Sequence, residues 1–109
     1  MKLSRFIPEF MLSPTLALRF SIDDGFSITI FPMLSYTTKD DKNNELIFLY
    51  GHAQILTPDI EITHVKKEQD FIEVYNDGEV IVDIVSLNPY ELDEFYEMIK
   101  DLGDETYAN

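Results

Sequence analysis

The sequence contains no cysteine, which excludes disulfides, thiolate-bound zinc and thiol nucleophiles. That absence agrees with a reducing compartment, and the expected location is cytoplasmic. Histidine is nearly missing as well. His52 and His64 lie far outside the i, i+4 pairing of a helical zinc site, and no thiolate can complete one. His64 is in phase with Ile60 and Ile62, so it reads as a strand residue capping the core. The four glycines fall at turns or element ends, leaving no phosphate-cradling loop. No apolar run approaches the roughly 20 residues of a membrane span. Pro8 and Glu9 interrupt the apolar stretch behind Lys2 and Arg5, so no signal peptide is expected.

Positive charge is the scarcest commodity: 8 Lys and Arg stand against 21 Asp and Glu, a net charge of −13. The deficit is uneven. Residues 1–55 carry five bases and six acids, whereas residues 56–109 carry three bases and fifteen acids, giving −1 and −12. Such a field repels nucleic acid and anionic membrane and attracts basic protein surfaces, although acidity also keeps a small protein soluble. The remainder is ordinary for a folded chain, with 45% hydrophobic and 27% charged residues over a length of 109. One domain with a modest core is expected.

Alternation carries the fold signal. In "LALRFSI" (16–22) Leu16, Leu18, Phe20 and Ile22 share one face; "DDG" (23–25) then marks a hairpin into "FSITIF" (26–31). Pro32 predicts a bulge or an edge position, with "MLSY" extending the strand beyond it. "TTKDDKNNE" (37–45) reads as an exposed loop, and "LIFLYG" (46–51), apolar up to its glycine, as a central strand covered on both faces. A short strand follows in "HAQIL" up to Thr57-Pro58-Asp59. "IEITHV" (60–65), a turn at "KKEQ", "FIEVY" (71–75), the turn "NDGE" (76–79) and "VIVDIVSL" (80–87) complete about six strands.

"NPYELDEFYEMIKDL" (88–102) is a helix: Asn88 at the N-cap, Pro89 at the first position, Glu91 at the capping-box position and Gly103 as the stop. Leu92, Phe95, Tyr96, Ile99 and Leu102 form its apolar stripe. The expected architecture is therefore α+β, a mostly antiparallel sheet over 16–87 with one C-terminal helix (88–103) on one face and an acidic tail (104–109). Residues 1–15 are open between an arm, an edge strand and a short helix.

The search for chemistry returns little. Pro58-Asp59 beside a strand suggests a metal-dependent nuclease, but no downstream acid is followed two residues later by lysine, and Asp40-Asp41-Lys42 comes too early. Asp83 inside "VIVDIV" is a candidate metal ligand or general base. A half-solvated sheet instead predicts that Val80, Val82 and Ile84 face inward while Asp83 faces water beside Glu73. Asp23-Asp24-Gly25 is turn chemistry, because the other ligands of a calcium loop are missing. No Gly-x-Ser-x-Gly elbow exists. Neither enzyme activity, nor a metal, nor a cofactor is expected.

Attention therefore falls on the acidic half. With the helix stripe inward, Asp93, Glu94, Glu97 and Asp101 fall outside, and Asp93–Glu97 and Glu97–Asp101 are like charges at i, i+4. Asp104, Glu105, Asp77 and Glu79 add carboxylates, and Tyr90 adds an exposed ring. This composition predicts a partner-binding surface for a basic protein, in its sharper form an inhibitor that occludes or mimics nucleic acid on a basic enzyme. Size, acidity and the lack of catalytic motifs resemble those of viral and mobile-element inhibitors such as anti-CRISPR proteins, a likeness of composition rather than of motif. No direct nucleic-acid or membrane binding is expected. The alternative is an assembly subunit or homodimer that associates through Phe6, Ile7, Phe10 and Met11 in the weakly charged N-terminal half. A metal-dependent enzyme built on Asp83 is a distant third.

Overall fold

Alternating side chains do become strands in the computed structural model, which describes residues 1–22, 25–51 and 54–100. The chain opens with a 3-10 turn at Leu3–Phe6 and the short helix α1, Ile7–Leu12. Strands β1 (Leu16–Ser21) and β2 (Ser27–Ile30) form an antiparallel hairpin with Leu18 opposite Ile30. The turn residues Asp23 and Asp24 lie outside the described residues. The chain then leaves this sheet and builds a second one from β3 (Leu34–Lys39), β4 (Glu45–Tyr50) and β5 (Gln54–Pro58). It returns as β6 (His64–Lys67), β7 (Phe71–Asn76) and β8 (Glu79–Ser86), and ends in helix α2, Pro89–Ile99. The larger sheet runs β2-β1-β8-β7-β6 and the smaller β3-β4-β5, antiparallel throughout.

The α+β class thus holds, with eight described strands in two sheets rather than about six in one, and with two helices. Several local readings change. "TTK" is not loop: polar residues can occupy an exposed edge strand, and β3 continues to Lys39 before a tight turn at Asp40–Asn44. There the Asp40 carboxylate accepts from the Asn44 and Lys42 N–H groups, each at 2.9 Å, and from Asn44 Nδ2 at 3.0 Å. The Asn44 bonds in particular hold its pKa below the usual carboxylate value. "IEIT" is not strand either. Ile60 and Ile62 are tied by backbone hydrogen bonds to Leu3 and Met1, and the strand begins only at His64. His64 is therefore exposed rather than capping the core, and its ring stacks on Tyr75 at 4.3 Å.

Of the three alternatives left open for residues 1–15, the short helix is what forms, and it is not a detached arm: Leu3, Phe6, Ile7 and Phe10 join the same buried cluster as Leu18, Ile30, Ile47, Leu49, Ile72, Ile84, Leu92 and Phe95. One continuous core thus unites both sheets and both helices. Phe95 is its hinge between the chain's two ends, with ring centroids 5.3 Å from Phe10 and 6.1 Å from Phe6. Asp59, the one buried charged side chain among the described residues, accepts the Ser4 N–H at 3.0 Å and so caps the start of the 3-10 turn.

Candidate partner-binding surface

α2 begins as its sequence dictates. The Asn88 side chain accepts the Tyr90 N–H at 3.0 Å, Pro89 takes the first position, and Leu92, Phe95 and Ile99 are buried. Gly103 and Leu102 lie outside the described residues. Glu91 departs from its capping-box role: its carboxylate instead accepts the hydroxyl of Ser13, whose oxygen also receives the Thr15 and Leu16 N–H groups. The corner between α1 and β1 is thereby fastened to the first turn of α2.

The stripe leaves Asp93, Glu94 and Glu97 exposed, as expected. Their isolation does not hold. Lys67, reaching from β6, pairs with Asp93 at 3.2 Å, and Lys100 pairs with Glu97 at 2.6 Å. No helical periodicity in the sequence could have shown a lysine arriving from a strand. Glu94 is engaged in no ion pair among the described residues. Tyr90 is exposed in the first turn. Asp77 sits in the β7–β8 turn and Glu79 opens β8; the turn is fastened to the 61–63 segment, where the Asp77 N–H donates to Thr63 Oγ1 at 3.0 Å and Asn76 Nδ2 to the Glu61 carbonyl at 2.6 Å. No hydrogen bond or ion pair among the described residues joins Asp77 or Glu79 to α2. Asp101, Asp104 and Glu105 lie outside the described residues.

What the helix does share is a groove with α1. Glu9, Leu12, Ser13 and Leu16 on one side and Glu91, Glu94, Phe95 and Met98 on the other enclose an open cleft of about 360 Å³. Its lining is mixed: Leu16 and Phe95 are buried, Leu12 and Met98 are exposed, and Glu9 and Glu94, both exposed, supply carboxylates. A cleft of that make-up suits a long basic side chain, whose alkyl stem packs on the apolar side chains while its charged head meets the carboxylates. Glu9 and Met98 escaped the sequence reading because nothing in the sequence signals that α1 folds back beside α2.

The interface expected of Phe6, Ile7 and Phe10 is overturned by burial: all three belong to the core and have no surface to offer. Met11 alone is exposed, lining an apolar cleft of about 520 Å³ with Pro14, Phe31, Pro32, Met33 and Leu87.

Asp83 has a partner that the sequence reading overlooked. Arg19, directly opposite on β1, donates from Nη2 and Nε to one Asp83 oxygen at 2.9 and 3.3 Å while its guanidinium lies 5.0 Å from the Phe71 ring centroid. Glu73 does lie opposite Asp83, as expected, but the acid is half-buried in an ion pair rather than facing water. Val80 also turns outward, because an irregularity between Val74 and Tyr75 shifts the register of β7 on β8. Among the described residues no three His, Asp or Glu side chains gather as a metal ion would require, and no helix is long and apolar enough to cross a membrane.

No protein-family model, curated protein or solved structure matches this chain.

Proposed function

We propose that this protein is a small cytoplasmic binding module that docks on a basic protein surface, with the α1–α2 groove receiving a lysine or arginine side chain. The observation that carries this reading is the groove itself: apolar side chains and the carboxylates of Glu9 and Glu94 in one cleft, in a molecule of net charge −13. The surrounding acids act at longer range, steering a basic partner toward the C-terminal half. Asp93 and Glu97 contribute less than their number suggests, because each already has a lysine.

The partner class that fits best is a nucleic-acid-binding enzyme, whose basic groove the acidic surface would occlude in competition with nucleic acid. The test is calorimetric titration of purified basic nucleic-acid enzymes at two salt concentrations, followed by displacement with a duplex oligonucleotide. Binding should weaken by about tenfold or more between roughly 50 and 300 mM salt. It should weaken by a similar factor in the Glu9→Gln/Glu94→Gln variant, both side chains being exposed. Binding insensitive to salt, or unchanged in that variant, would remove the proposal.

A further inference from the structure

The sequence of β4, apolar at each position from Leu46 to Tyr50, predicts a strand covered on both faces. β4 is indeed the central strand of its sheet, yet only one face is covered. Ile47 and Leu49 are fully buried against the core, while the opposite face lies open. Cross-strand register sets two apolar rows on that open face: Leu34–Tyr50 with Gln54, and Tyr36–Phe48–Leu56. Leu34, Tyr36, Tyr50 and Leu56 are 54%, 54%, 42% and 55% exposed. The rings of Tyr36, Phe48 and Tyr50 stack in series, with centroids 5.1 and 6.4 Å apart. Side chains with this composition and flatness form the buried centre of interfaces rather than ordinary surface.

We infer that the outer face of β3-β4-β5 is a self-association surface that receives the same face of a second copy of this chain. Charge selects the occupant. Two molecules of net charge −13 repel wherever acids meet, and neither apolar row carries a charged residue. Lys39 and Glu45 alternate onto the other face, so the charges nearest the two rows are those of the β3–β4 turn, where Lys42 stands beside Asp40 and Asp41. A mixed rim complements itself under a two-fold rotation. A basic partner would find no carboxylate in either row, and a nucleic acid would find rings to stack on but no basic groove to hold its phosphates.

The area is of the right order. At ~200 Å² for a large side chain, the four half-exposed residues alone offer on the order of 400 Å². That supplies the apolar centre of a ~800 Å² half-interface, which Gln54, Pro58 and the rim would complete.

Sedimentation velocity of the full chain across a concentration series tests this directly, using the wild type and Tyr36→Lys/Leu56→Lys. The variant lowers the net negative charge, so association governed by overall charge would tighten; association through this face should weaken by at least tenfold. Circular dichroism checks that both proteins are folded, and Tyr36→Ser/Leu56→Ser serves in place of the lysine variant if that one is not. Added salt should strengthen the dimer by screening repulsion, the opposite of its effect on docking to a basic partner, so the two proposals fail separately. A wild type that stays monomeric to about 1 mM, a dimer indifferent to both variants, or binding of a single-stranded oligonucleotide to this face would overturn the inference.

Discussion

Arg19 meets Asp83 across β1 and β8, and Asp83 in turn lies opposite Glu73 on β7. Without the guanidinium, two carboxylates would face each other on neighbouring strands, one of them only 15% exposed. Like charges directly opposite are unfavourable, and an ion half withdrawn from water loses part of its hydration. Arg19→Met keeps an apolar stem against Phe71 but removes the charge, and should cost ~1–3 kcal/mol in urea denaturation at neutral pH. Adding Asp83→Asn to it should recover most of that loss. Recovery distinguishes a stranded carboxylate from lost packing, which the second change could not repair. The sequence showed Asp83 as an isolated acid because its cation lies 64 positions away. Only the pairing of the first strand with the last brings the two together.

At the scale of elements, the two sheets depend on how the chain passes between them. Gly51 closes β4 just where the β2–β3 connection runs past: a Cβ built on it would lie 2.3 Å from the Phe31 carbonyl oxygen. Beside it, the Met33 N–H donates to the Tyr50 carbonyl at 2.9 Å. Gly78 is a glycine for another reason, its φ of +90° in the β7–β8 turn, with open space where a Cβ would point. Gly78→Ala should therefore cost only ~1 kcal/mol. Gly51→Ala must push backbone against backbone and should cost more, with thermal unfolding of the two variants giving the order.

The hairpins β1–β2 and β7–β8 and the start of α2 were legible in the sequence because turn residues and periodicity are local. The division into two sheets was not, since alternation shows which residues share a face but not which sheet a strand joins. β4 illustrates the cost. A run of apolar residues looks the same whether its second face meets its own chain or nothing in that chain. Half of the candidate groove was hidden likewise, because Glu94 follows from the helix stripe whereas Glu9 follows only from Phe6 and Phe10 packing on Phe95.

The whole molecule is squeezed between one apolar core and a charge of −13. Few cations are spread through it, and several hold places that join separate elements: Lys67 reaches α2, Lys2 reaches Glu45, and Arg19 joins β1 to β8. Self-repulsion opposes the compact state wherever acids outnumber them. Raising sodium chloride from about 10 to 200 mM should therefore raise the melting temperature, because the screening length falls from ~30 to below 10 Å. A melting temperature unmoved by salt would show that the pairs already balance the field.

β1 has two neighbours, one reached within a few residues and the other only after nearly the whole chain has gone by, since Leu16 pairs with Ser86. During synthesis the β1–β2 hairpin forms early with one edge of β1 open. That edge closes only when β8 arrives, so the sheet stays incomplete until residues 79–86 have been made. In the interval the nascent chain presents an unpaired, largely apolar strand, and a product stopped before Glu79 presents it permanently. The strand that closes the sheet thus also separates chains that contain it from chains cut short before it, which a cell's quality-control machinery can recognise by that open edge.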